Sequence, residues 1–282
     1  MTEPIIAPAL PELVIEPGRA ERNYWRDLWR YRELFYFLAW RDILVRYKQT
    51  VIGIAWALIR PLLTMAVFTF VFGKLAKLPA PGAAPYALMV FAAMLPWQFF
   101  STALSESSNS LIGNASLISK IYFPRLIIPA GSVITAFVDF LITLALMAVL
   151  MVWYRFAPDW RILTLPLFIL LNFGAAMGVG LWLCALNVKY RDFRYIVPFI
   201  VQFGLYVSPV GFSSGIVPEK WRLVYSLNPM VGVIDGFRWA LLRGESALSI
   251  SDLLTSISIT VFLLATGIWY FRKMERTFAD VI

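Results

Sequence analysis

Apolar runs long enough to cross a bilayer limit this chain more than any other feature. Five of them, 52–73, 86–105, 129–153, 162–186 and 253–271, are long enough at ~1.5 Å per helical residue to span ~30 Å of hydrocarbon. A sixth, 193–212, is interrupted by Pro198, Gly204 and Pro209. Lipid offers backbone N–H and C=O groups no partner, so each run is expected to be helical. The fold class that follows is all-α and membrane-integral, with six transmembrane helices.

The first run carries the most unusual residues. In RYKQTVIGIAWALIRPLLTMAVFTFVFGKL, residues 46–75, a basic and aromatic collar leads straight into lipid, and Arg60 and Pro61 lie inside the apolar segment. A charge at that depth needs a partner or a watery surface. Asp139 in the third run is the expected partner, because the two residues lie roughly 12 and 16 Å from the same side at a helical rise. A structural pair is favoured over a proton-coupling site, since a relay needs more titratable groups and the spans otherwise hold only Glu106, near an inner end.

Composition matters through where the charge sits. The chain of 282 residues carries a net charge of +8. With the N-terminus inside, the inner pieces hold sixteen Lys and Arg residues and the outer loops eight, so both termini are expected to be cytoplasmic. The positive balance therefore reflects topology, and no nucleic-acid partner is expected. The absence of histidine removes the usual proton shuttle and the commonest metal ligand, and the single Cys184 excludes an internal disulfide. No metal site is expected, and no catalytic residue stands out. There is no G-x-x-x-x-G-K-[ST] loop, which excludes ATP binding in the P-loop manner. The start, MTEPIIAPALPELVIEPG, shows no signal peptide, and residues 1–20 read as a flexible Pro-rich tail.

Residues 21–45 are expected to form an amphipathic interfacial helix, with 46–282 as the six-span domain. Tyr24, Leu28, Tyr31, Phe35 and Leu38 share one face, Arg22, Arg26, Arg30 and Glu33 fall opposite, and Trp25, Trp29 and Trp40 suit the headgroup level. In the inner segment 109–128, Leu111, Ile112, Ala115, Ile118 and Ser119 fit one face of a short helix ended by Phe123-Pro124-Arg125. That pattern fits a force-transmitting helix and an ordinary connector equally. Between spans five and six, Pro218-Glu219 opens one helical stretch, Asn228-Pro229 breaks it, and a second runs to Gly244 with Asp235 and Arg238 at a pairing spacing. Each piece is too short to span, so an outer re-entrant helical hairpin is expected. GAAMGVG, with Gly174 and Gly178 four apart, reads as a helix-packing surface. The spans are rich in aromatic residues, among them Trp56, Phe68, Phe72, Trp97, Phe203 and Tyr206. Such rings offer weak, repeated stacking to a sliding sugar chain, although lipid- or neighbour-facing packing is the ordinary role for any one of them.

Taken together, RYKQTVIG (46–53) leading into WALIRPLLTM, KIYFPRLIIP (120–129), LNVKYRDF (186–193) and SLNPMVGVIDGFRWALL (226–242) resemble the membrane subunit of type-2 ABC exporters. The similarity covers about 21–275 and is strongest to the polysaccharide branch, the O-antigen (lipopolysaccharide) export permeases; teichoic-acid and capsular-polysaccharide permeases are close relatives of these. The resemblance implies a second copy of this chain, two copies of an ABC nucleotide-binding subunit that holds ATP and Mg, and a place in the bacterial inner membrane. It implies that spans one and five line a channel, that the segment with Lys120, Tyr122, Phe123, Pro124 and Arg125 contacts the ATPase, and that Trp221, Tyr225, Pro229, Asp235 and Arg238 belong to an outer gate. The implied substrate is a polyprenyl-diphosphate-linked polysaccharide, whose diphosphate Arg46 and Lys48 would attract at the inner mouth. No cofactor is implied in this chain itself. The other classes weighed are an ion-coupled secondary transporter, for which paired titratable groups in the spans are scarce, and a membrane transferase, for which no histidine or partnered carboxylate is present.

Overall fold

The computed structural model describes residues 24–48, 53–77, 82–190, 192–245 and 248–278, with side chains from Leu58 onward in the second stretch. The tail 1–20 and the Trp56 side chain lie outside the described residues. An N-terminal pair, α1 (Tyr24–Arg30) and α2 (Arg32–Lys48), precedes α3 (Gly53–Phe68), which continues as a π-helix over Thr69–Leu75. Then come α4 (Tyr86–Gly113), the single turn α5 (Ala115–Ile118), α6 (Ile127–Trp153), α7 (Leu165–Lys189) and α8 (Phe193–Val207). Two short helices, α9 (Glu219–Ser226) and α10 (Pro229–Leu241), lead into α11 (Ile250–Glu275). Among the described residues five helical stretches are long and apolar enough to cross a membrane, which makes the chain a multi-pass membrane protein.

α4 is the hub. Leu88, Val90, Ala92, Ala93, Ala103 and Leu104 are inaccessible on all its faces, and α3, α6, α7, α8 and α10 surround it. Asn172 of α7 donates from Nδ2 to the Pro96 carbonyl at 2.9 Å, fixing the two helices where the proline interrupts the ladder. α7 and α11 approach through glycine, as the GAAMGVG spacing suggested. A Cβ at Gly178 would lie 2.7 Å from the Leu264 nitrogen, and one at Gly267 would lie 2.5 Å from the Gly178 carbonyl oxygen.

Three expectations change in detail. The N-terminal helix is broken at Tyr31 and runs on to Lys48. Its face of Tyr24, Leu28, Tyr31, Phe35 and Leu38 packs on protein, while Trp25, Trp29, Tyr36, Phe37 and Trp40 point outward. The aromatic belt, not the patterned face, is thus the exposed one. The segment 109–128 holds little separate helix, because α4 runs through Leu111 and Ile112 to Gly113 and only one turn follows. The sixth apolar run ends early: α8 has 15 residues, about 22 Å, and Ser208-Pro209 stops it. The break at Asn228-Pro229 falls where expected, with Asn228 accepting from the Met230 N–H at 3.0 Å and Pro229 opening α10.

Candidate functional site

Tyr24 of α1 lies beside Glu275 and under Arg272, whose guanidinium sits 4.6 Å from its ring, so the described start and end of the chain meet at one end of the bundle. The segment from Lys120 to Arg125 joins them. The Arg125 N–H donates to Glu275 Oε1 at 2.6 Å, and its guanidinium donates to the Glu275 carbonyl. Burial first, then the charge of Glu275, pushes the Tyr24 hydroxyl well above the usual phenol range, which keeps it a neutral donor. Within this segment Lys120 and Tyr122 are exposed, but Phe123 and Pro124 are buried and anchor it to the bundle. Those two were expected as contact residues; apolar side chains this size gain more by filling the space beneath the segment.

A second cluster stands where α2 meets α4 and α6. The Arg46 guanidinium bridges Glu106 and Asp139, and the Tyr47 hydroxyl donates to Asp139. Asp139 is therefore not the partner of Arg60, as depth alone suggested. Arg60 points outward and has no ion pair among the described residues. The physical reason is helix rotation: depth sets the level of a side chain, but its azimuth decides what it meets. Lys48 is exposed at the same level of α2.

The expected aromatic path divides. Phe203 and Tyr206 of α8 are 59% and 63% exposed, and Tyr195 and Phe199, absent from the expected set, extend the same stripe. The rings of Phe199 and Phe203 stack at 5.9 Å. Spacings of four, four and three along one helix are the signal that would have found them. Phe68 and Phe72 are half-buried against Gly211, where a Cβ would come within 2.8 Å of Phe72. Trp97 is buried under Gly204 of α8, which a Cβ would bring to 2.6 Å, so it supports α8 from behind and does not line an open surface. On α3 and its π-helical continuation Leu63, Val67 and Phe70 also face outward.

At the far end the hairpin of α9 and α10 is held by a buried arginine. Arg238 donates to the carbonyls of Met89 at 3.2 Å, Phe212 at 2.8 Å and Val210 at 2.9 Å. The non-helical chain after α8 leaves the Val210 and Phe212 oxygens without ladder partners, and a guanidinium with five donors reaches both together with the Met89 carbonyl of α4. Among the described residues no direct ion-pair contact joins Arg238 to Asp235, which bonds to Ser214; the two charges still attract each other, but the guanidinium spends its hydrogen bonds on the clamp. Tyr225 keeps a buried hydroxyl and Pro229 starts α10, whereas Trp221 is exposed. Asp252 binds Ser226 at 2.7 Å and Arg222 at 3.2 Å, tying α9 to α11.

Residues 33–242 match the family model described as ABC-2 type transporter. The chain belongs to that family. Among similar ABC-2 proteins, the O-antigen export system permease protein RfbA of Myxococcus xanthus is 27% identical over 259 residues, covering 91% of this chain and 98% of the relative. A protein of the same description from Klebsiella pneumoniae is 28% identical, covering 86% and 92%. The polysialic acid transport protein KpsM of Escherichia coli is 21% identical, covering 84% and 91%. Permease subunits of this family are not themselves enzymes, and the family implies a nucleotide-binding partner.

Proposed function

We propose that two copies of this chain form a channel that exports lipid-linked polysaccharide of the O-antigen type across the bacterial inner membrane. ATP with Mg is hydrolysed in a separate nucleotide-binding subunit, also present twice. The observation that carries this reading is the uncovered stripe Tyr195, Phe199, Phe203 and Tyr206 on α8, in a chain whose relatives include O-antigen permeases. Rings without strong hydrogen-bonding neighbours give a sliding glycan contact without capture, which conduction needs.

Six crossings are supported by the meeting of Tyr24 with Glu275, because an odd number would part the ends of the chain. α8 then crosses together with the segment that follows it. The excess of basic residues on that side makes it cytoplasmic. α1 and α2 lie at the inner interface with their outward tryptophans among headgroups. Lys120 and Tyr122 meet the ATPase, and motion there passes through Arg125 and Glu275 to α11. Lys48 is the accessible cation at the inner mouth for the substrate diphosphate, while Arg46 holds α2 against α4 and α6. The α9–α10 hairpin closes the outer mouth.

The test is reconstitution with the neighbouring ATPase in vesicles loaded with lipid-linked glycan. ATP-dependent translocation is expected, lost when Phe199, Phe203 and Tyr206 are all changed to alanine at normal protein levels. Cysteines at Phe203 in both copies should cross-link across the channel. Glycan movement without any ATPase, or Phe203→Cys chains labelled by a lipid-phase reagent and never cross-linked, would overturn the proposal.

A further inference from the structure

The open stripe of α8 carries a side chain that aromatic stacking does not explain. Gln202 is exposed and makes no hydrogen bond among the described residues. It follows Tyr195 by seven positions and Phe199 by three, and precedes Tyr206 by four, so it shares their face of the helix. It also stands roughly 14 Å along the axis from Phe193, well inside the apolar length of α8.

A carboxamide brings two donors and an acceptor, and hydrocarbon would answer none of them. Other polar groups on the outer surfaces of the spans avoid that cost locally. The hydroxyls of Thr64, Thr255, Ser258 and Thr266 each donate to the carbonyl four residues back, at 2.7 to 3.0 Å. On α6 and α7 the outward residues Val149, Leu167 and Leu170 are apolar. Gln202 follows neither pattern, so its face calls for water or a polar partner and not for lipid tails.

The neighbouring rings narrow the partner. Phe199 and Phe203 stack at 5.9 Å with 11° between their planes, a flat apolar pair beside the amide. A sugar ring has the two matching surfaces, a face of C–H groups and a rim of hydroxyls. A donor and an acceptor on one planar amide suit two adjacent hydroxyls, each of which both gives and takes a hydrogen bond; a phosphate would leave the acceptor idle. Each bond made to a sugar replaces one made to water, so the net hold is weak and the polymer is released as it advances.

We propose that Gln202 is a specificity residue of the path, whose amide reads the hydroxyls of the passing glycan while the rings carry its apolar faces. That role rests on the channel proposed above, and it supplies the group by which polymers with different hydroxyl patterns are told apart.

The test uses the complex of this chain with its ATPase in vesicles, supplied with lipid-linked glycan extracted from the cells that make it. Export by Gln202→Leu is expected to fall about fivefold at unchanged Tm, and Gln202→Asn, which keeps a shorter amide, should recover part of the loss. The same glycan with part of its hydroxyls acetylated should slow the parent toward the Gln202→Leu rate and leave Gln202→Leu unchanged. Water at the site is read independently with Gln202→Cys, which an aqueous maleimide should label while ATP is turned over. Cys184 is buried and stays silent, and Phe262→Cys on the outward side of α11 is the lipid-facing control. Export at the parent rate by Gln202→Leu refutes the role, as does acetylation that slows both chains alike or neither. A fall in Tm with loss of the paired state would make Gln202 a tie between two copies instead. Gln202→Cys shielded like the control, with Phe203→Cys still cross-linking, overturns the role and leaves the channel standing. Normal export by the Phe199, Phe203 and Tyr206 alanine variant would sink the channel itself.

Discussion

α4 and α3 have similar hydropathy and opposite surroundings. In its most apolar stretch 83% of the residues of α4 are buried within the chain, whereas only 6% are over Leu58–Leu75, which spans α3 and its π-helical continuation. Both belong to one sequence that cannot rely on water to force helices together, since lipid is as apolar as leucine. What gathers α4 is small residues, glycine contacts and polar clasps such as Asn172 to Pro96. α3 and α8 have few of these and instead turn aromatic and branched side chains away from the bundle. Packing in this protein holds the frame, and the helices it leaves out are the ones proposed to line the path.

That contrast can be broken most forcefully at Arg238. Arg238→Met leaves the Val210 and Phe212 carbonyls without their donor, and a loss of about 3 kcal/mol or more is expected. It should appear as a collapse in extractable protein and a large fall in Tm in detergent. Gly178→Leu drives a side chain into the α11 backbone and is expected to cost about 1–3 kcal/mol by overpacking, again read as Tm. Arg46→Gln strands Glu106 and Asp139, but the site is about one-third exposed. Screening therefore limits the loss to about 1 kcal/mol, and a further change, Asp139→Asn, should recover part of it. The smallest stability effect is expected at the open stripe. Phe203→Ala/Tyr206→Ala should keep unfolding free energy within about 0.5 kcal/mol of the parent's, read as a small change in Tm, while glycan export falls. A large Tm loss there would mean that α8 is frame, and the comparison would fail.

Much of the frame was legible in the sequence because it depends on length and period. The long apolar runs, the proline at the start of α10 and the glycines of α7 each carry a local physical signature. What the sequence hid was azimuth. Arg60 and Asp139 stand at compatible depths yet face apart, and Asp235 and Arg238 have a pairing spacing yet the arginine turns to distant carbonyls. Trp97 and Phe203 are both aromatic residues of spans, but Phe203 faces outward and Trp97 is buried. Rotation about a helix axis is set by neighbours far along the chain, and a single residue's type does not encode it. The cluster of Tyr24, Arg125 and Glu275 was hidden for the same reason, since more than two hundred residues separate its outer members.

The π-helical turns at Thr69–Leu75 give α3 a spare residue. Rewinding that stretch to ordinary α geometry would lengthen the helix by ~1.5 Å and swing whatever follows by roughly 100° about the axis. Phe72 would then leave Gly211 and sweep toward the open side. A wall built this way needs no hinge: it can be wound, like a screw turned by one thread.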